Sequence, residues 1–254
     1  MNKVFSISKY EYKMQIKRVS GWLVLLFVVI ATMMDCLPTT NNMKRIEFLY
    51  DVHYYVRRVF AFDGLILLFA LMFLMADRLV SDRKMGRRDL FMVTPIRKQS
   101  YIVGKLLGNF LYALSFMYLL LIAALIGFAV FNHVETSVKD YISSCWEVSI
   151  YIIIPATFFV TTSSVILPEL INLRLFYLLF SVLFLTNVLS VETGATPAPF
   201  YIFTQGDVSK MIWQHPRWPT IYIESAFLNL LFMLGIGGLS ILLIFVKRKF
   251  WRDN

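Results

Sequence analysis

The sequence predicts an all-α integral membrane protein with six transmembrane helices, and three features of it carry that prediction. The first is composition. Apolar residues make up 58% of the 254 positions and charged residues 16%, against about 45–50% and about 25% in ordinary soluble chains. So little charge cannot cover a soluble surface, and so much apolar residue excludes intrinsic disorder. The second feature is a series of apolar runs near the roughly 20 residues that cross a bilayer. The third is the placement of basic residues. The net charge of +9 reports topology and contact with anionic lipid before anything else, and nucleic-acid binding is the poorer reading. Two cysteines, Cys36 and Cys145, make neither a disulfide scaffold nor a zinc-ligand spacing.

The elements follow in chain order as one transmembrane domain over residues 1–254. Residues 2–18 read as an amphipathic helix lying on the membrane surface, with Lys9, Lys13 and Lys17 one turn apart and Phe5, Tyr12, Ile16 and Val19 on the flank. The spans are expected at residues 21–35, 60–76, 101–131, 146–167, 174–190 and 223–246. No small-x-small site follows the first of them, so it reads as a retained span rather than a cleaved leader. A short external helix fits the regular stretch from Lys44 to Arg58. The external loop 191–222 carries Pro197, Pro199, Pro216 and Pro219 beside Phe200, Tyr201, Phe203, Trp213 and Trp218. Proline breaks the helix and the aromatics favour the membrane interface, so this loop is expected along the outer leaflet.

Orientation follows from the basic residues. With the N-terminus in the cytoplasm, eighteen Lys and Arg fall on inner segments and seven on outer ones. Both termini are therefore expected inside. In this topology Cys36 and Cys145 both sit at the external face, where oxidation can occur. A bridge between them would need Cα atoms about 5.5 Å apart, and two free packed thiols are the commoner state.

Inside the fourth span Pro155 should produce a kink. Thr157, Thr161, Thr162, Ser163 and Ser164 follow it. They could satisfy the freed backbone groups, bond to a neighbouring helix, or, with Pro155, line a path; packing is the usual role. Gly104 with Gly108, and Gly235, Gly237 and Gly238, permit close helix approach. Ionisable residues such as Asp63, Lys105 and Glu169 fall near span ends, so neither a proton relay nor an arginine voltage ladder is expected. No HExxH, GxSxG or complete phosphate-binding glycine loop occurs. Energy for uphill movement would have to come from a partner.

The segment 78–98 concentrates charge of both signs. Residues 82–89 could start a helix whose later face, Leu90, Phe91 and Val93, is apolar, and Thr94-Pro95 would stop it. Such a helix, parallel to the membrane, is a handle for a soluble partner. The segment resembles the conserved cytoplasmic loop of ATP-binding-cassette type-2 permeases, which reads E-R-E-x-G-T-x-E-x-L-x-x-T-P with G-K as the third span begins. Here Asp82, Arg83 and Lys84 form the charged run, Gly86 takes the glycine position and Asp89 the acidic one. Thr94-Pro95 and Gly104-Lys105 supply the two pairs. Arg87 replaces the threonine, followed by Arg88, and Phe91-Met92 stand where leucines are usual.

The resemblance implies a permease subunit of a bacterial exporter in the cytoplasmic membrane. It has no ATPase site of its own and binds no cofactor itself. ATP and Mg would sit on a separate cytoplasmic ABC ATPase subunit that the loop helix contacts, through Asp82, Arg83, Lys84, Gly86, Arg87, Arg88, Asp89, Leu90, Phe91, Thr94 and Pro95. A second permease chain, identical or a sister, completes the membrane part. The aromatic outer segment and the Ser/Thr of the spans favour an amphipathic or lipophilic cargo, such as a peptide, antimicrobial or drug. Two other readings are a non-transporting anchor or sensor subunit, and an intramembrane enzyme using Ser163 or Ser164, which has no histidine or lysine beside it in the span.

Overall fold

The computed structural model describes residues 3–46, 49–86, 97–132, 134–193 and 223–246. They form ten α-helices: α1 Lys3–Ile16, α2 Val19–Asp35, α3 Thr40–Arg45, α4 Val52–Met75, α5 Arg78–Lys84, α6 Lys98–Phe131, α7 Val138–Val148, α8 Ile154–Ile171, α9 Leu173–Thr193 and α10 Ile223–Val246. A π turn, Ser149–Ile153, joins α7 to α8.

Helices cover all six segments expected to cross the membrane. Three of them are long and apolar enough to do so, Val52–Lys84, Gln99–Phe131 and Val138–Ile171, or four if α1 and α2, bent by 62°, make one span. The described apolar stretches Leu173–Thr186 and Leu230–Val246 are shorter. The fold is thus all-α, with three or four such helices among the described residues. The long helices begin earlier than expected. The second starts at Val52 rather than residue 60 and the fourth at Val138 rather than 146, because polar caps set the starts: Asp51 accepts from the His53 amide and Ser137 from the Lys139 amide.

The expected kink at Pro155 takes the form of the π turn. Proline has no N–H, and its ring collides with the carbonyl four residues back in a regular helix. A wider turn just before it relieves both, and Val138–Ile171 continues as one rod. The break between the fourth and fifth segments is a single residue, Asn172, at φ 110°. Its side chain accepts from the Arg174 amide and its carbonyl from Phe176, which starts α9 at once.

Helix α8 is the centre of the bundle. It packs against α4, α5, α6, α9 and α10, and its residues 159–166 are buried on all sides. Aromatic rings fill the space around it: Phe69 stacks on Phe184 at 3.9 Å and Phe73 on Tyr177 at 4.8 Å. The outer faces are apolar instead. Leu23, Leu26 and Phe27 of α2, Ile122 and Ile126 of α6, Leu178 and Val182 of α9, and Leu239 and Leu242 of α10 are all exposed. An aqueous surface would not carry such bands; a hydrocarbon solvent suits them.

Helix α1 forms where expected, but it turns its polar side to the protein. Ser8, Glu11 and Gln15 are buried, and the helix lies along the first half of α6. Gly104 and Gly108 make that approach possible. A Cβ at Gly104 would meet Ile7 Cβ at 2.7 Å, and one at Gly108 would meet the Ser8 carbonyl at 2.7 Å. The physical reason for the inversion is that α6 offers Lys105 and Asn109 in the groove, polar groups that need partners out of water.

Candidate functional site

Three helices bring three short polar ladders to one end of the bundle. Spacing of four puts Glu11 and Gln15 on one face of α1, Arg78 and Asp82 on one face of α5, and Tyr101, Lys105 and Asn109 on one face of α6. Lys105 Nζ lies 3.2 Å from Glu11 Oε2 and also contacts Asp82 Oδ2. The Tyr101 hydroxyl donates to that same Asp82 oxygen at 2.7 Å. Arg78 donates to Gln15 Oε1 at 2.5 Å, and Gln15 Nε2 donates to Asn109 Oδ1 at 2.6 Å. Asn109 in turn donates to Glu11 Oε1 at 3.3 Å.

The side chains of Glu11, Lys105 and Asp82 are only 2%, 5% and 7% exposed. Two carboxylates face two cations here, so the charges balance. Desolvation of that many charges is tolerable only because each is paired and hydrogen-bonded. A fourth helix joins through Arg83, which is half exposed and reaches Glu169 Oε2 of α8 at 2.8 Å; Glu169 is 1% exposed. Helix α5 is therefore tied to α1, α6 and α8 at once. It ends at Gly86, whose φ of +67° is the left-handed conformation that closes a helix. No neighbour among the described residues lies within 4 Å of where a Cβ would stand, so the backbone conformation itself favours glycine there.

Of the residues expected to meet an ATPase, Asp82 is thus turned into the protein and Arg83 is shared with Glu169. Lys84 and its neighbour Met85 face outward. Arg87, Arg88, Asp89, Leu90, Phe91, Thr94 and Pro95 lie outside the described residues, as do residues 194–222 of the expected external loop. The buried joint of Glu11, Asp82 and Lys105 lies at one end of the bundle, near the start of α6; what the sequence does not show is that these charges pair with one another out of water. Polar residues recur at a spacing of four on each of these helices, but nothing in the sequence pairs one helix's set with another's.

In α8 Thr157, Thr161 and Ser164 are all buried. Ser164 donates back to the Val160 carbonyl at 2.5 Å. The hydroxyls of Thr157, Thr161 and Ser163 have no hydrogen-bond partner among the described residues. Both cysteines are free, so the bridge between Cys36 and Cys145 is not formed. Cys36 instead approaches Asp63 Oδ2 at 3.8 Å, an oxygen that also accepts from Thr32 at 2.8 Å. That pairing is what lets α2 and α4 share a buried carboxylate.

A further cluster, at the opposite end of the bundle, had no signal in the sequence. Ser143 Oγ lies 3.3 Å from His53 Nε2, and His53 Nδ1 lies 3.3 Å from Glu147 Oε2. The order of hydroxyl, imidazole and carboxylate matches an activated nucleophile. Ser143, however, sits inside α7 with its hydroxyl also on the Asp140 carbonyl, and the amides around it belong to the helix rather than to a nest that could hold an oxyanion. The cluster reads as a clasp between α4 and α7. Among the described residues no group of three or more His, Cys, Asp and Glu is arranged to hold a metal ion. Comparison with protein-family models, with curated proteins and with solved structures finds no match to this chain.

Proposed function

We propose that the chain is a permease subunit of an ATP-driven exporter, and that the segment 78–98 receives the motion of a separate cytoplasmic ABC ATPase. One observation carries the reading: α5, the start of that segment, is bound to α1 and α6 through buried bridges and to the buried Glu169 of α8 through Arg83. A displacement of α5 cannot stay local, because breaking any of those bridges strands a buried charge. An ordinary topology-setting basic loop needs no such attachment. Positive charge supports the orientation. Lys9, Lys13, Lys17, Arg78, Arg83, Lys84 and Arg97 gather at the end of the bundle where α5 lies, against Lys44, Arg57, Arg58 and Lys139 at the other. That end faces the cytoplasm, and six spans with both termini inside complete the topology. A second permease chain completes the transporter, and the cargo is amphipathic or lipophilic.

The test is affinity purification of the tagged chain from mild detergent, with mass spectrometry of what accompanies it. A stoichiometric ATPase supports the reading, and a second permease decides between homodimer and heterodimer. A chain that purifies alone, under conditions that preserve other membrane complexes, refutes it.

A further inference from the structure

We propose that the outer face of α1 is a binding surface for the headgroups of anionic phospholipids. The helix separates its charges. Its acid, Glu11, is buried against Lys105, whereas Lys9 and Lys13 on the opposite side, and Lys17 in the turn that follows the helix, are exposed. None of the three has an ion-pair or hydrogen-bond partner among the described residues. Phe5 and Tyr10 are exposed on the same arc, at 63% and 65%. Lysines mixed with exposed aromatic rings are the composition of a helix face at a membrane interface, not of a fully solvated one.

The level of the helix agrees. Gly21, at the start of α2, packs against Tyr112. From Tyr112 to the end of α6 is about 20 residues, or about 30 Å, the thickness of the hydrocarbon layer. The first part of α6, and α1 beside it, therefore stand at headgroup depth. Trp22 marks the boundary: it is partly exposed, and its indole N–H donates to the Ile16 carbonyl at 2.7 Å, closing the end of α1 at the 62° bend. The basic face is thus held in a fixed place rather than on a loose tail. The proposal does not rest on the exporter reading.

The experiment uses the full chain in mild detergent, offered equal amounts of phosphatidylglycerol and phosphatidylcholine with the same acyl chains, and native mass spectrometry of the retained lipid. The expected result is preferential retention of phosphatidylglycerol. A Lys9→Gln/Lys13→Gln/Lys17→Gln variant should lose the preference, by roughly fivefold per lysine and on the order of a hundredfold in all. The matching Lys→Arg variant should keep it, as should Lys139→Gln at the far end. Equal retention of both lipids by the unaltered chain overturns the proposal, and so does a preference unchanged in the triple glutamine variant. Displacement of the lipid by inorganic phosphate would make the face a free-phosphate site. Loss of a co-purifying protein with lipid retention unchanged would make it a protein surface. Either result also overturns the proposal.

Discussion

Replacing Lys105 by methionine tests the charged joint directly. Methionine keeps the length of the side chain and removes the cation. Glu11 would then retain its bond from Asn109 at 3.3 Å, and Asp82 its bond from Tyr101 at 2.7 Å, but two carboxylates would stand buried near each other with no cation between them. Breaking a buried pair this way costs about 3–5 kcal/mol. Because each carboxylate keeps one donor, the lower value, about 3 kcal/mol, is expected. At about 2–4 °C per kcal/mol that is a fall of roughly 6–12 °C in midpoint, measured by thermal unfolding in detergent with tryptophan fluorescence. The companion variant Glu11→Gln/Asp82→Asn/Lys105→Met removes the two stranded carboxylates but leaves Arg78, still bonded to Gln15, without their charge, so it should recover only part of the loss. Wild-type stability in Lys105→Met, or a triple variant no more stable than the single one, would refute the account of the joint.

Gly108→Ala should loosen α1 from α6, because its Cβ would fall 2.7 Å from the Ser8 carbonyl; overpacking of this kind costs about 1–3 kcal/mol, read as faster hydrogen exchange in residues 3–16. Gly86→Ala should cost about 1–2 kcal/mol through the left-handed backbone alone, while Gly86→Asn should be milder, and neither should displace the chain from the membrane. Arg83→Gln leaves Glu169 buried without its guanidinium, so it should destabilise by about 3 kcal/mol or more, visible as a lower unfolding midpoint that Arg83→Lys largely restores. Both thiols should label fully after denaturation without reductant. In the native chain Cys145, half-buried, should react well before Cys36, which is 1% exposed.

Composition and hydropathy are sums over neighbouring residues, so the sequence by itself determined what depends on such sums. The all-α class, the apolar helices, the glycine approach at Gly104 and Gly108 and a break between residues 167 and 174 were all legible in it, although the helix runs through Pro168 and breaks only at Asn172. Helix limits were legible only to within somewhat more than two turns, because single caps such as Asp51 and Ser137 outweigh hydropathy at the ends. The joint was not legible. Glu11, Asp82 and Lys105 stand far apart in the chain, and each alone resembles a charge at the edge of a span. The inward turn of α1 was hidden for the same reason, since its lysine stripe is visible locally and the need of Lys105 for a carboxylate is not. The Ser143–His53–Glu147 clasp likewise exists only because α4 and α7 meet. Only the tertiary structure decided these, because a buried charge is stable solely in the presence of its partner, and which partner arrives is fixed by how the helices pack.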